Sequence, residues 1–261
     1  MNRIVKLFVV SSLLTISLQA QTVEEKIKKE VLIKADTIEV SYENKLRPAI
    51  GYISDISAKD IKKHWKSFLS KTYKISSKFN GNVVMSKDIV INSLSDKRID
   101  LYLSADENGT GSKVKFFVAF GYDIYVDPNI YGKEFASLKK IADNFLYEST
   151  NIFFNEKTNG FSKQMASLVS KNSKLLKGIN KNNASIESGK VTIASLSDVD
   201  ENDSKASVKA KKKILKLNKK IIAKTIEIED DKNKIEANKK EIELLKKDLA
   251  YYKKRKELLK R

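Results

Sequence analysis

The chain contains no cysteine, one histidine, two prolines and one tryptophan in 261 residues. Without cysteine it can form no disulfide, thiolate metal site or cysteine nucleophile, and no lipid can be attached at a lipobox. A single imidazole, His64, excludes a multi-histidine metal centre, and any serine triad would have to recruit it. No Gly-x-Ser-x-Gly elbow is present. The residue types therefore assign no catalytic residue, cofactor or metal, and the expectation is a protein that is not an enzyme. Beyond the N-terminus no apolar run approaches the roughly 20 residues that span a bilayer, so no transmembrane span is expected after signal cleavage.

What the chain does have begins with an export signal. Arg3 and Lys6 precede an apolar stretch over residues 7–18, and Ala20 stands where a signal peptidase would cut, giving a signal peptide over 1–20. A charged leader segment over 21–34 follows. The expected location is the periplasm or the cell envelope.

The formal charge is +18, and residues 205–261 hold 21 Lys or Arg against 9 Asp or Glu, so most of the excess lies at the C-terminal end. Such density attracts polyanions: anionic lipid heads, lipopolysaccharide, acidic glycans or nucleic acid, the last made least suitable by export. Lys253, Lys254, Arg255 and Lys256 form the candidate anion contact.

Between these ends the hydropathy pattern describes an α+β domain over residues 35–155. Ile38, Val40 and Tyr42 alternate as one face of a strand, and Arg47, Pro48 and Gly51 then interrupt regular structure. Ser57 can cap a helix with Asp60 in its first turn, and Ile61, Trp65, Phe68 and Leu69 fall on one face of that helix. Strands are expected over 82–85, 88–92, 98–104 and 113–121, the last two joined by a glycine-rich loop over 105–112. After a further extended stretch over 122–126, a second helix from near Tyr131 carries Phe135, Leu138, Ile141, Phe145 and Leu146 on one side. The expected fold class is α+β, a small antiparallel sheet covered by two helices and followed by a long C-terminal coiled-coil helix.

Three local patterns invite a chemical reading that their context opposes. The Asn108-Gly109-Thr110-Gly111-Ser112 run lacks the Gly-Lys-Ser/Thr ending of a P-loop and precedes a strand, so it reads as a hairpin loop. Asp198, Asp200 and Asn202 imitate calcium-loop ligands, but Asp203 replaces the required glycine and Lys209 the bidentate glutamate. Phe116, Phe117, Phe120, Tyr122 and Tyr125 suggest a stacking platform, yet alternation sends Phe116 and Phe120 inward.

Beyond residue 155 the chain reads as a helical segment over 156–180, a Ser/Asn-rich flexible linker over 181–204 with a short strand over 190–196, and a basic coiled-coil helix over 205–261. In that last helix Ile214, Ile221, Ile228, Ile235, Ile242 and Leu249 recur every seven residues. The second column of the heptad holds Leu217, Lys224, Asp231, Asn238, Leu245, Tyr252 and Leu259, apolar at its ends and polar in its middle. Glu236 with Lys240 and Glu243 with Lys247 are spaced for i,i+4 support. Ile214, Leu217, Ile221, Ile228, Ile235, Ile242, Leu245 and Leu249 are the candidate assembly residues. They either fold back on the segment over 161–179 or pair with another chain.

The Lys62-Lys63-His64-Trp65-Lys66-Ser67-Phe68-Leu69 segment, the later Lys115-Phe116-Phe117-Val118-Ala119-Phe120-Gly121 strand, the signal peptide and the Lys/Glu-rich coiled coil together resemble a group of uncharacterised exported proteins from Bacteroidota. Residues 155–204 are richer in Ser and Asn than the continuous coiled coil of that group. The resemblance implies an envelope location and a sheet domain joined to a coiled coil, and brings no activity. The sequence thus points to a non-enzymatic protein acting by coiled-coil association with a protein partner or with itself, and touching anionic surfaces. The alternative is a module whose α+β domain holds a small molecule, glycan or peptide, with the tail as spacer.

Overall fold

The structure, a computed structural model, describes residues 35–121, 123–198 and 204–259. The expected signal peptide and leader lie outside the described residues. The chain forms two units, one of residues up to Glu156 together with those from Lys253 onward, the other of Lys157–Tyr252.

In the first unit, strands β1 (Asp36–Tyr42) and β2 (Lys45–Ser54) are followed by helix α1 (Ala58–Tyr73), then β3 (Lys78–Asn80), β4 (Val83–Ile89), β5 (Ile99–Asn108) and β6 (Gly111–Ala119). They form one antiparallel sheet in the order β1-β2-β6-β5-β4-β3, against which α1 and the first turns of α2 (Gly132–Ser197) pack. The fold class is therefore the expected α+β.

Turn chemistry sets the registers. Glu43 and Asn44 both have positive φ, as a two-residue type I′ turn demands, and they join β1 to β2. Gly109, with φ of 62°, opens a two-residue turn between β5 and β6, whose pairing runs from Asp100 with Ala119 to Asn108 with Gly111. The long loop expected over 105–112 is thus mostly strand. At Gly111 a Cβ would run into the Ser54 carbonyl oxygen, so a side chain there would separate β6 from β2.

Two further differences have physical causes. Residues 47–51 continue β2 rather than breaking it, because the β2–β6 ladder begins only at Ile50 and the missing N–H of Pro48 costs no bond there. Strand β4 is one element carrying a bulge between Ser86 and Ile89, where Asp88 adopts a φ of 54° and its N–H donates to Asp100 Oδ1 at 2.8 Å.

Helix α1 starts as its sequence proposes: the Asp60 N–H donates to Ser57 Oγ, and Ile61, Trp65, Phe68 and Leu69 are buried. They meet Ile50, Leu101, Leu103, Phe116 and Val118 from the sheet and Leu138, Ile141, Phe145 and Leu146 from α2. Trp65 lies edge-on to both Phe116 and Phe145, with centroids 5.3 and 4.9 Å away. Each such pair is worth about 0.5–1.5 kcal/mol beyond the area it buries. The opposite face of the sheet holds a second buried cluster of Val40, Tyr42, Ala49, Tyr102, Phe117 and Ala119. Tyr102 stacks on Phe117 at 4.8 Å, so Phe117 packs within the fold instead of offering a platform to a ligand.

The second unit is a helical hairpin made of α2 from Lys157 onward and of α3 (Ser204–Leu258) up to Tyr252. The interruption expected at 155–160, and the linker and short strand expected beyond residue 180, are helix as far as Ser197. Asn182, Ile186, Gly189, Ile193 and Leu196 keep the alternating three- and four-residue spacing of the preceding apolar residues and form the less exposed face of α2. Burial against the facing helix outweighs the weak helix propensity of Ser and Asn.

Candidate association surface

Every residue of the two heptad columns between Ile214 and Tyr252 lies on the shielded side of α3. Ile228, Ile235 and Leu245 are buried, and Ile214, Leu217, Ile221, Ile242 and Leu249 are half-buried. Their counterparts on α2 are Phe161, Met165, Leu168, Asn172, Leu175, Ile179, Asn182, Ile186, Gly189, Ile193 and Leu196. Ile179, Ile228 and Ile235 form one cluster, with Leu175 and Ile186 packed against it. The candidate assembly residues therefore pair within the chain, the first of the two packings left open by the sequence.

The register follows from cross-helix neighbours. Gly189 faces Ile221, Asn182 meets Lys224, Gly178 faces Asp231, Asn172 meets Asn238, and Phe161 meets Tyr252. As one number falls the other rises by a similar step, so the helices are antiparallel. The polar middle of the second column is matched in kind: Lys224 Nζ donates to Asn182 Oδ1 at 3.0 Å, and Asn238 Nδ2 donates to Asn172 Oδ1 at 2.7 Å. Asp231, 9% exposed, takes a bond from Lys234 at 3.1 Å and lies opposite a glycine, which leaves it room. Each bond adds only about 0.5–1.5 kcal/mol. Sliding α3 by one heptad would break both bonds and bring Leu217 to Asn182 or Leu245 to Asn172, so their larger effect is on register.

Charge agrees with this pairing. On α2, residues 157–183 hold six lysines and no carboxylate; on α3, residues 227–252 hold eight carboxylates and six lysines, and these two stretches face each other. A parallel pair of identical α3 helices would instead oppose residues 204–226 to themselves, nine lysines against nine. Glu236 and Glu243 bridge Lys239 and Lys246, both at 2.7 Å. The local ion pairs are thus i,i+3 rather than the expected i,i+4.

The expected anion-contact cluster belongs to the first unit and is partly consumed there. Arg255 is buried, bonds Asp55 Oδ2 through Nη2 at 2.5 Å and lies over the Phe154 ring. Lys256 Nζ donates to Asn155 Oδ1 at 2.7 Å. Arg255 is thus turned inward, while Lys253 and Lys256 are exposed and Lys254 half-buried. A pattern of four adjacent cations cannot reveal this, because the carboxylate that takes Arg255 is 200 residues away in sequence.

His64 has a structural partner. Its Nδ1 lies 2.6 Å from Oγ of Ser149, which is buried on α2, so the pair ties α1 to α2. Burial holds the imidazole below its ordinary range and Lys63 acts the same way, against the opposing pull of Glu156 and Asp60. The unfolded chain therefore binds the proton more readily than the folded one. The contribution of His64 to stability is complete above the unfolded value near 6.5 and is lost as pH falls through the depressed folded value. Urea midpoints measured between pH 7.5 and 5 should decline for the natural chain and decline less for His64→Gln; identical slopes would refute the assignment.

Near the sheet, Tyr52 Oη donates to Asp143 Oδ1 at 2.7 Å and Lys139 Nζ holds the other oxygen at 2.8 Å, joining β2 to α2. Burial, and next the adjacent Asp143, push the Tyr52 hydroxyl well above its usual range, so it stays a donor. Lys45, and then Arg47, hold the exposed Asp123 carboxyl below its ordinary value. Among the described residues no group of three or more His, Cys, Asp or Glu is placed to hold a metal. The calcium-like run from Asp198 falls mostly outside the described residues. No helix among the described residues is long and apolar enough to cross a membrane.

No family model, curated protein or solved structure matches the chain.

Proposed function

We propose that this is a non-enzymatic, exported protein of the periplasm or cell envelope that acts by association through its helical hairpin, with electrostatic contact to anionic surfaces as part of that role. The seam is occupied by the chain's own two arms, so partners meet the outer faces of the hairpin. The observation that carries the reading is the concentration of positive charge on one half of α3, eight lysines and no carboxylate over residues 209–226. Export and the likeness to Bacteroidota proteins rest on the sequence alone. The fully buried Trp65, Phe116 and Phe145 occupy the space between sheet and helices where a binding module would need a cleft, which favours association over the ligand-holding alternative.

A photo-crosslinking residue placed at Val169, exposed on the hairpin, and another at Val90, exposed on the first unit, separate the two readings in intact envelopes. Protein adducts are expected from Val169 and not from Val90. Adducts confined to Val90 would move the contact to the sheet unit and overturn the reading, as would the absence of adducts at both.

A further inference from the structure

The charge on α3 is unevenly distributed. Residues 204–226 carry nine lysines and no carboxylate, whereas residues 227–252 have a small acidic excess. The arm of α2 facing the basic half supplies Glu187, whose carboxylate is 3.6 Å from Lys190 on the same helix. The basic half thus carries an excess of positive charge.

The same half exposes apolar side chains in a line. Val208, Leu215 and Ile222 recur at seven residues, Ile226 follows one turn later, and each is more than half exposed at 67, 58, 60 and 58%. None belongs to the seam. Val208 and Leu215 each have a lysine three residues before and four after, from Lys205, Lys212 and Lys219, and Lys209 and Lys216 lie beyond them around the helix. The stripe is therefore apolar along its centre and cationic along its rim.

We infer that this face of α3 rests on the surface of an anionic phospholipid bilayer, with Leu215, Ile222 and Ile226 entering the boundary below the headgroups and the neighbouring lysines reaching the phosphates. The two components together select the occupant. Phosphates of a nucleic acid would engage the lysines and leave four aliphatic side chains facing water, and an acidic protein would have to present matching carboxylates and apolar pockets along roughly 27 Å of helix. A lipid surface offers both chemistries without specific geometry. The inference rests on the reading that the hairpin is the associating part, and adds that one of its partners is lipid.

The test is co-sedimentation of the full mature chain with vesicles of phosphatidylglycerol mixed into phosphatidylcholine at 50 mM salt. Binding is expected with the anionic vesicles and not with pure phosphatidylcholine. Lys212→Glu with Lys216→Glu and Lys219→Glu should weaken it about tenfold or more. Leu215→Gln with Ile222→Gln and Ile226→Gln retains charge and helix propensity, and should weaken it about fivefold while circular dichroism stays unchanged. Failure to bind anionic vesicles, binding indifferent to either set, or equally tight capture of a DNA duplex would each overturn the inference. Envelope protein adducts at Val169 without vesicle binding would leave the association reading intact and remove only the lipid.

Discussion

Replacing Phe116 with alanine should destabilise the sheet unit by about 3–5 kcal/mol, the range for truncating a fully buried aromatic ring. Phe116 is 0% exposed on β6, between β2 and β5 in the sheet. Its ring meets Tyr52 of β2 at 5.7 Å, Trp65 of α1 at 5.3 Å and Phe145 of α2 at 5.9 Å, so the cavity would open where both helices meet the sheet. The neighbours are too large and too constrained by one another to collapse into it. Trp65, the single tryptophan of the chain, lies against the cavity and reports the unit selectively. Urea unfolding followed by its emission should show a midpoint shift equivalent to that loss, and a shift below about 1 kcal/mol would contradict the packing. Tyr52→Phe, which keeps the ring and removes the bond to Asp143, should cost about 1 kcal/mol.

That core was legible in the sequence because each contribution to it is periodic. Ile61, Trp65, Phe68 and Leu69 share a helical face, and Leu101, Leu103, Val114, Phe116 and Val118 alternate along strands with one side buried. Phe117 escaped that logic because the sheet buries parts of both faces, and strict alternation sends every second residue to solvent. The strand through Pro48 escaped it because a proline reads as a break unless one knows which neighbour the strand lacks.

The hairpin was only half legible. The isoleucine column of α3 is unbroken and names its own face, whereas the matching face of α2 includes Asn172, Asn182 and Gly189, residues that read as loop when taken singly. The spacing of three and four that connects Leu175 and Ile179 to Ile186, Ile193 and Leu196 was available, and continuing it across the polar positions would have extended the helix. Knowing the partner removes the ambiguity, since the polar residues of each helix lie opposite polar or small residues of the other. The fate of Arg255 was not legible at all, because a tertiary ion pair has no local period.

Ile228→Asp combined with Ile235→Asp should open the middle of the hairpin, at a cost on the order of 4 kcal/mol or more for two uncompensated carboxylates in a buried cluster. Both isoleucines are 7% exposed against Ile179, and Asp231 already lies between them on the same helix face, so the introduced charges would also repel a native one. Thermal unfolding followed by helical circular dichroism should lose much of the ellipticity at a temperature where the natural chain keeps it; an unchanged melt would remove these residues from the seam. The polar pair should behave oppositely. Asn172→Leu with Asn238→Leu removes donor and acceptor together, leaves no unsatisfied group and adds apolar contact, so the melt should rise or hold. Either change alone leaves one amide against a leucine and should destabilise the hairpin by about 1–3 kcal/mol. In the double variant a more apolar seam also tolerates other registers and other copies, and sedimentation should show a greater mass than that of the natural chain. If that variant instead melts lower with no change in mass, the asparagines hold the arms together by their own bond strength and do not select the partner.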